Sequence, residues 1–115
     1  MDRISLSVPS GPRGAGVVAL VLGGLGSRLD LPVDRIDELA LAATTVGASA
    51  LRDSLELEVS VLEDRVLLRV GPLEEGAAAD VGTRRVIEPL VDGVTPAHRD
   101  GHEWLELELA RSAPG

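Results

Sequence analysis

Cysteine, lysine, phenylalanine and tyrosine are all missing from this 115-residue sequence. Without cysteine, disulfides and thiolate metal sites are excluded. Without lysine, all eleven basic residues are arginine, and they face nineteen acids for a net charge of −8. Such a surface repels nucleic acid unless arginine gathers on one patch. The tightest cluster, Arg84-Arg85, is too small for that, so no nucleic-acid partner is expected. Trp104 is the one aromatic residue. The core must therefore be built from Leu, Val, Ile and Ala, a fine-grained filling suited to helices packed closely on a sheet. Long hydrophobic runs are also lacking. The longest uncharged stretch, Gly14–Ser27, falls short of the roughly 20 apolar residues a membrane span needs. Five glycines interrupt it, Pro9 and Pro12 precede it, and no small-x-small cleavage pattern follows. These features argue against a secretory signal, and a cytoplasmic location with no membrane partner is expected.

What is present reads as one domain over 1–115, large enough for its own core. Ile4, Leu6 and Val8 alternate with Arg3, Ser5 and Ser7, the pattern of a half-buried strand ended by Pro9-Ser10-Gly11-Pro12. From about Arg13 to Leu29 the period turns helical. Val18, Leu22, Leu25 and Leu29 form one stripe, and Gly16, Ala19, Gly23 and Gly26 the opposite one. A second helix is predicted from an N-cap at Asp34 to about Leu51, with Glu38, Ala42, Thr45 and Ser49 on its polar side. Leu55, Leu57, Val59 and Val61, then Val66, Leu68 and Val70, predict a hairpin turning at Glu63-Asp64. That register sets Val61 against Val66, Val59 against Leu68, Leu57 against Val70 and, outside, Glu58 against Arg69. Gly71–Gly82 reads as a loop. A short helix over Thr83–Val91, made irregular by Pro89, and a second hairpin around Arg99-Asp100-Gly101 complete the order β-α-α-β-β-α-β-β. The predicted class is α/β (α+β): a two-layer sandwich with helices on one face of a mainly antiparallel sheet.

This order and three local strings resemble the bacterial anti-sigma-factor serine kinases of the GHKL (Bergerat-fold, histidine-kinase-like ATPase) superfamily. The opening Ile4–Pro9 is similar to the family's first strand and following proline. The stretch Ile36–Leu51 looks like the helix bearing the N-box, roughly "LAxxEAxxNAV". The stretch Val86–Val94 is similar to "LIxxLMDEV" before the last hairpin. The resemblance spans nearly the whole chain but rests on element order more than on motif. A bacterial source with GC-rich coding would suit the all-arginine usage.

The departures carry more information. With Leu41-Ala42 set on the N-box, Thr45 stands where the family has its catalytic glutamate and Ser49 where it has its Mg²⁺-binding asparagine. Threonine cannot act as a general base near neutrality. One serine hydroxyl is a poor substitute in an Mg²⁺ site. The adenine-reading aspartate of the family's "DxGxG" falls on Gly71 or Pro72, which have no side chain able to accept a hydrogen bond. Asp80–Arg85 lacks the glycine-rich turn that would present N–H groups to phosphates. No catalytic residue, metal or nucleotide cofactor is therefore expected. The resemblance implies a non-catalytic regulator that binds a sigma factor or a STAS-type antagonist. The alternative it implies is a divergent serine kinase in which Glu74 or Glu75 helps rebuild an ATP site.

Each sharper reading has a plainer counterpart. Glu38, Thr45 and Ser49 suit the polar side of an amphipathic helix better than a relic pocket. His98 and His102, near Asp100 and Glu103, suit a solvated turn better than a metal site. The stripe Gly16, Ala19, Gly23 and Gly26 stays open between two readings, since helix-interior glycines cost about 1 kcal/mol each relative to alanine. Either the second helix packs there, or the stripe, together with Trp104, is an interface, and a homodimer is then expected.

Overall fold

The computed structural model describes residues 2–29 and 31–111. The alternating segments form one antiparallel sheet of five strands: β1 (Asp2–Pro9), β2 (Ser54–Val61), β3 (Arg65–Leu73), β4 (Gly93–Arg99) and β5 (His102–Ala110). Their spatial order is β1-β2-β3-β5-β4. The helical segments are α1 (Pro12–Arg28), α2 (Val33–Gly47) and α3 (Val81–Ile87), and they share one core with one face of the sheet. The expected order and two-layer class are those observed.

Both hairpins follow from local chemistry. In β2–β3, Val61 lies opposite Val66, Val59 opposite Leu68, Leu57 opposite Val70 and Glu58 opposite Arg69. The Leu62 N–H donates to the Arg65 carbonyl at 2.8 Å, closing the loop over Glu63-Asp64. In β4–β5 the turn residues Asp100 and Gly101 both have left-handed φ, 53° and 80°. A two-residue turn of that hand matches the strand twist.

The core is aliphatic throughout. Leu57, Leu68, Val70, Leu105, Leu107 and Leu109 rise from the sheet to meet Val18, Leu22, Leu39, Val46 and Ile87 from the helices. On β1 the burial is graded, from 2% exposed at Val8 to 41% at Ile4. The helices cover only one end of that edge strand's apolar face.

Several boundaries differ from expectation. Pro32, not Asp34, occupies the N-cap of α2, and Asp34 lies in its first turn. The helix stops at Gly47, so Ser49 sits in the turn beyond it. Ala42, placed by sequence on a polar side, has no exposure, because α2 lies between α1 and α3 and packs on both. Gly71 and Pro72 belong to β3 rather than to a loop. The next helix starts at Val81 because Asp80 caps it, and it ends at Ile87 before a 3₁₀ turn holding Pro89.

The outer sheet face is tied by charge. Glu58 is held by Arg69 at 2.9 Å and by Arg99 at 3.2 Å, with Arg3 at 4.0 Å. Arg69 also reaches Glu106 at 2.8 Å. The Arg99 hydrogen bond, followed by that from Arg69, holds the Glu58 carboxyl below its ordinary value against the opposing effect of burial. On its way from β4 to β2, Arg99 crosses the Trp104 ring, 4.5 Å from its centroid. That stack contributes about 0.5–2 kcal/mol. The ring also lies against Gly71, where a Cβ would clash with it. Gly71→Ala should therefore destabilise the fold by about 1–3 kcal/mol, the usual cost of overpacking. Denaturant unfolding followed by Trp104 fluorescence measures this, and an unchanged midpoint would contradict the packing described.

Candidate functional site

The positions that the resemblance aligns with a nucleotide site, and that carry none of its side chains, lie where α2 ends beside the end of β3. The Leu51 N–H donates to the Pro72 carbonyl at 3.0 Å, and the Glu74 N–H donates to the Ser49 carbonyl at 2.8 Å. Ala50 and Leu73 form an antiparallel bridge between these two bonds. Ser49, Gly71 and Pro72 are thus brought together, stitched by backbone. Thr45 lies one helical turn back, and its hydroxyl donates to the Leu41 carbonyl at 2.8 Å. That bond commits the proton within the helix, so Thr45 offers a nucleotide little.

Beyond Leu73 the chain turns over Glu74–Gly76 into a 3₁₀ turn, Ala77–Ala79. Glu103, from β5, accepts hydrogen bonds from the N–H groups of Gly76 and Ala78. Those bonds, Gly76's first, hold its carboxyl below its ordinary value of 4.5. The start of α3 is filled in the same way. The Asp80 carboxylate accepts from the Thr83 N–H at 2.9 Å and from its hydroxyl at 2.8 Å, and both bonds lower its pKa. Arg84 is engaged with Glu88 at 3.1 Å and with the Ala78 carbonyl at 3.4 Å. Three backbone donors here, the N–H groups of Gly76, Ala78 and Thr83, already hold carboxylates of the chain, and each carboxylate adds repulsion toward an anion. Sequence reasoning missed Glu103, because the contact joins residues 27 and 25 positions apart. The only local cue, Asp80 three residues before Thr83, was legible as a capping pattern.

The histidines do not converge. Strand pairing puts His98 opposite Glu103 and His102 opposite Arg99, on alternate faces of the hairpin. His102 Nε2 lies 3.5 Å from an Arg52 nitrogen. Among the described residues no group of three or more His, Cys, Asp or Glu is arranged to hold a metal ion.

The interface candidates divide. Gly16, Ala19 and Gly23 are exposed on α1, together with Val17 at 38% and Leu20 at 78%. Gly26 is buried, and a Cβ there would meet Ile36 at 2.3 Å, so α2 packs on the stripe at that one position. Trp104 corrects the expectation of an exposed aromatic: it is 4% exposed, enclosed between Gly71 and Arg99. An apolar cavity of about 280 Å³, unforeseen from sequence, lies between the β1–α1 turn and the end of α2, lined by Val8, Pro12, Val18, Ala43 and Leu55. Among the described residues no helix is long and apolar enough to cross a membrane.

The lowered pKa of Glu103 sets a pH dependence. A group whose folded pKa is depressed contributes stability that is present above its ordinary value and lost as pH falls through the folded value. Glu103→Gln should therefore lower the unfolding midpoint at pH 7, and the gap from the parent should close as the pH drops below 4.5. Parallel denaturation series at pH 7 and in acid measure this, and a gap independent of pH would contradict the carboxylate's role.

No protein-family model matches the chain. It spans about half the length of the curated relative it matches. That relative is the serine-protein kinase RsbW of Bacillus subtilis (strain 168), to which the chain is similar at 29% identity over 87 residues, covering 69% of this chain and 53% of that protein.

Proposed function

We propose that this chain is a non-catalytic regulator of the anti-sigma-factor type, a GHKL-like domain kept as a protein-binding surface in the cytoplasm. Its partner is a sigma factor or a STAS-type antagonist, the partners that the family resemblance implies. The observation that carries the reading is the filling of two donor sets by the chain's own carboxylates, Glu103 on Gly76 and Ala78, and Asp80 on Thr83. Thr45, Ser49, Gly71 and Pro72 stand where the family has its base, metal ligand and base-reading acid. The net charge of −8 adds to the repulsion of a triphosphate. The uncharged outer side of α1 is the surface offered to a protein, and the chain self-associates.

A second reading has one observation in its favour, the similarity to a protein named as a serine-protein kinase. On that reading Glu74 or Glu75, both exposed in the turn after β3, would help rebuild a nucleotide site. Calorimetry with Mg-ATP separates the two. Each missing contact to a charged or metal-bound group costs roughly 1.5–3 kcal/mol. Three such losses, or two at the upper figure, move a micromolar site beyond about 1 mM. The regulator reading therefore expects no saturable heat. Saturable binding below about 100 μM, which is about 5.5 kcal/mol of affinity, would favour the kinase instead.

A further inference from the structure

The dipeptide Asp-Gly occurs twice in the chain, at Asp92-Gly93 and at Asp100-Gly101, and the fold holds only the first of them. Asp92 leads into β4. Its Oδ2 accepts hydrogen bonds from Arg35 and from the Ala110 N–H, both at 2.7 Å, and Gly93 is paired in the ladder opposite Glu108. Asp100 stands at the tip of the β4–β5 hairpin. It is exposed, with φ 53°, in the left-handed region that few residues other than glycine enter. Among the described residues its carboxylate has no hydrogen bond or ion pair, and the Gly101 N–H has no acceptor. The ladder pairs the flanking residues Arg99 and His102, which leaves the amide between the two turn residues free.

We propose that Asp100-Gly101 is a site of backbone isomerisation, at which the aspartyl linkage converts through a cyclic imide to an isoaspartyl one. The Gly101 nitrogen forms a bond to Cγ of Asp100, and a C–O bond of the carboxyl group breaks. That oxygen leaves as water, carrying the amide proton and one proton from solvent. Water then opens the imide at either carbonyl. Opening at Cγ returns aspartate. Opening at the main-chain carbonyl leaves the chain running through Cβ and Cγ, with a free α-carboxylate and no net change in mass or oxidation state. Nucleophile and electrophile sit in adjacent residues, so the ring closes without a second molecule. Gly101 has no Cβ to obstruct the closure, and the Asp100 carboxylate has no bond to release first. The product adds one backbone atom to a two-residue turn, and turn length fixes hairpin register. The residue beside the turn is Arg99, whose guanidinium stacks on Trp104 and holds Glu58, so isomerisation loosens that strap at its root.

The test ages the intact chain at neutral pH in heavy-oxygen water, where each passage through the imide fixes one solvent oxygen. Electron-based fragmentation in the mass spectrometer then assigns the label, and the isoaspartyl linkage, to Asp92 or to Asp100. Label is expected at Asp100 about tenfold or more ahead of Asp92, which must first give up two hydrogen bonds to its carboxylate. In denaturant the two pairs should label alike, which ties the difference to the fold. Asp100→Glu, whose longer side chain disfavours the same closure, should take up no label there. Asp100→Asn suits the same turn and should convert faster, with ammonia leaving in place of water. Trp104 emission should change as the parent ages and stay fixed in Asp100→Glu. Equal labelling of both pairs in the folded chain, or none at Asp100, would overturn the site. Label at Asp100 with unchanged Trp104 emission would overturn the loosening of Arg99.

Discussion

The carboxylate of Glu103, reaching from β5 to the N–H groups of Gly76 and Ala78, fixes the path of the chain between sheet and third helix. Once it is in place, the connection from β3 to α3 is a tight turn over the end of the sheet. The Ser49–Glu74 and Leu51–Pro72 bonds then join that turn to the end of α2. Residues in positions suited to a ligand are spent on one another. Away from this turn, Gly16, Val17, Ala19, Leu20 and Gly23 leave one side of α1 exposed and uncharged.

The opposite face of the sheet is held by a different device. Arg99 reaches from the far edge strand across Trp104 to Glu58 on β2, so one guanidinium spans the strands between them. Glu58 balances Arg69 and Arg99 at once, and Arg69 in turn meets Glu106. The single aromatic thus serves as packing under a charge lattice rather than as a contact for a partner. The lack of a side chain at Gly71 leaves room for its ring. Ser60, on this same face, is 2% exposed with a hydroxyl that has no partner among the described residues. A buried, unpaired hydroxyl of this kind costs stability.

How much of this the sequence discloses depends on the range of the interaction. The β2–β3 register was legible because alternation, a two-residue turn and the Glu58–Arg69 pair all act between near neighbours. The order of elements followed for the same reason. Ala42 was misplaced because its burial depends on α2 lying between two other helices, which periodicity cannot show. Alternation along β5 puts Trp104 on the outer face with Glu106 and Glu108, but its burial there needs Gly71, distant in sequence, as well as Arg99. In the candidate site, the substitutions at Thr45, Ser49, Gly71 and Pro72 were readable from their types alone. Of the two filled donor sets, Asp80 on Thr83 is a local capping pattern, whereas Glu103 on Gly76 and Ala78 is not readable, since it joins β5 to a turn 25 residues earlier.

The central claim is that these donors are closed to an anion by the chain's own carboxylates. It is tested most directly by following the backbone amide resonances of Gly76, Ala78 and Thr83 while Mg-ATP is added to the intact chain. The account predicts that these three stay in place through millimolar nucleotide. Saturable movement of all three, at micromolar nucleotide and in the parent sequence, would contradict it.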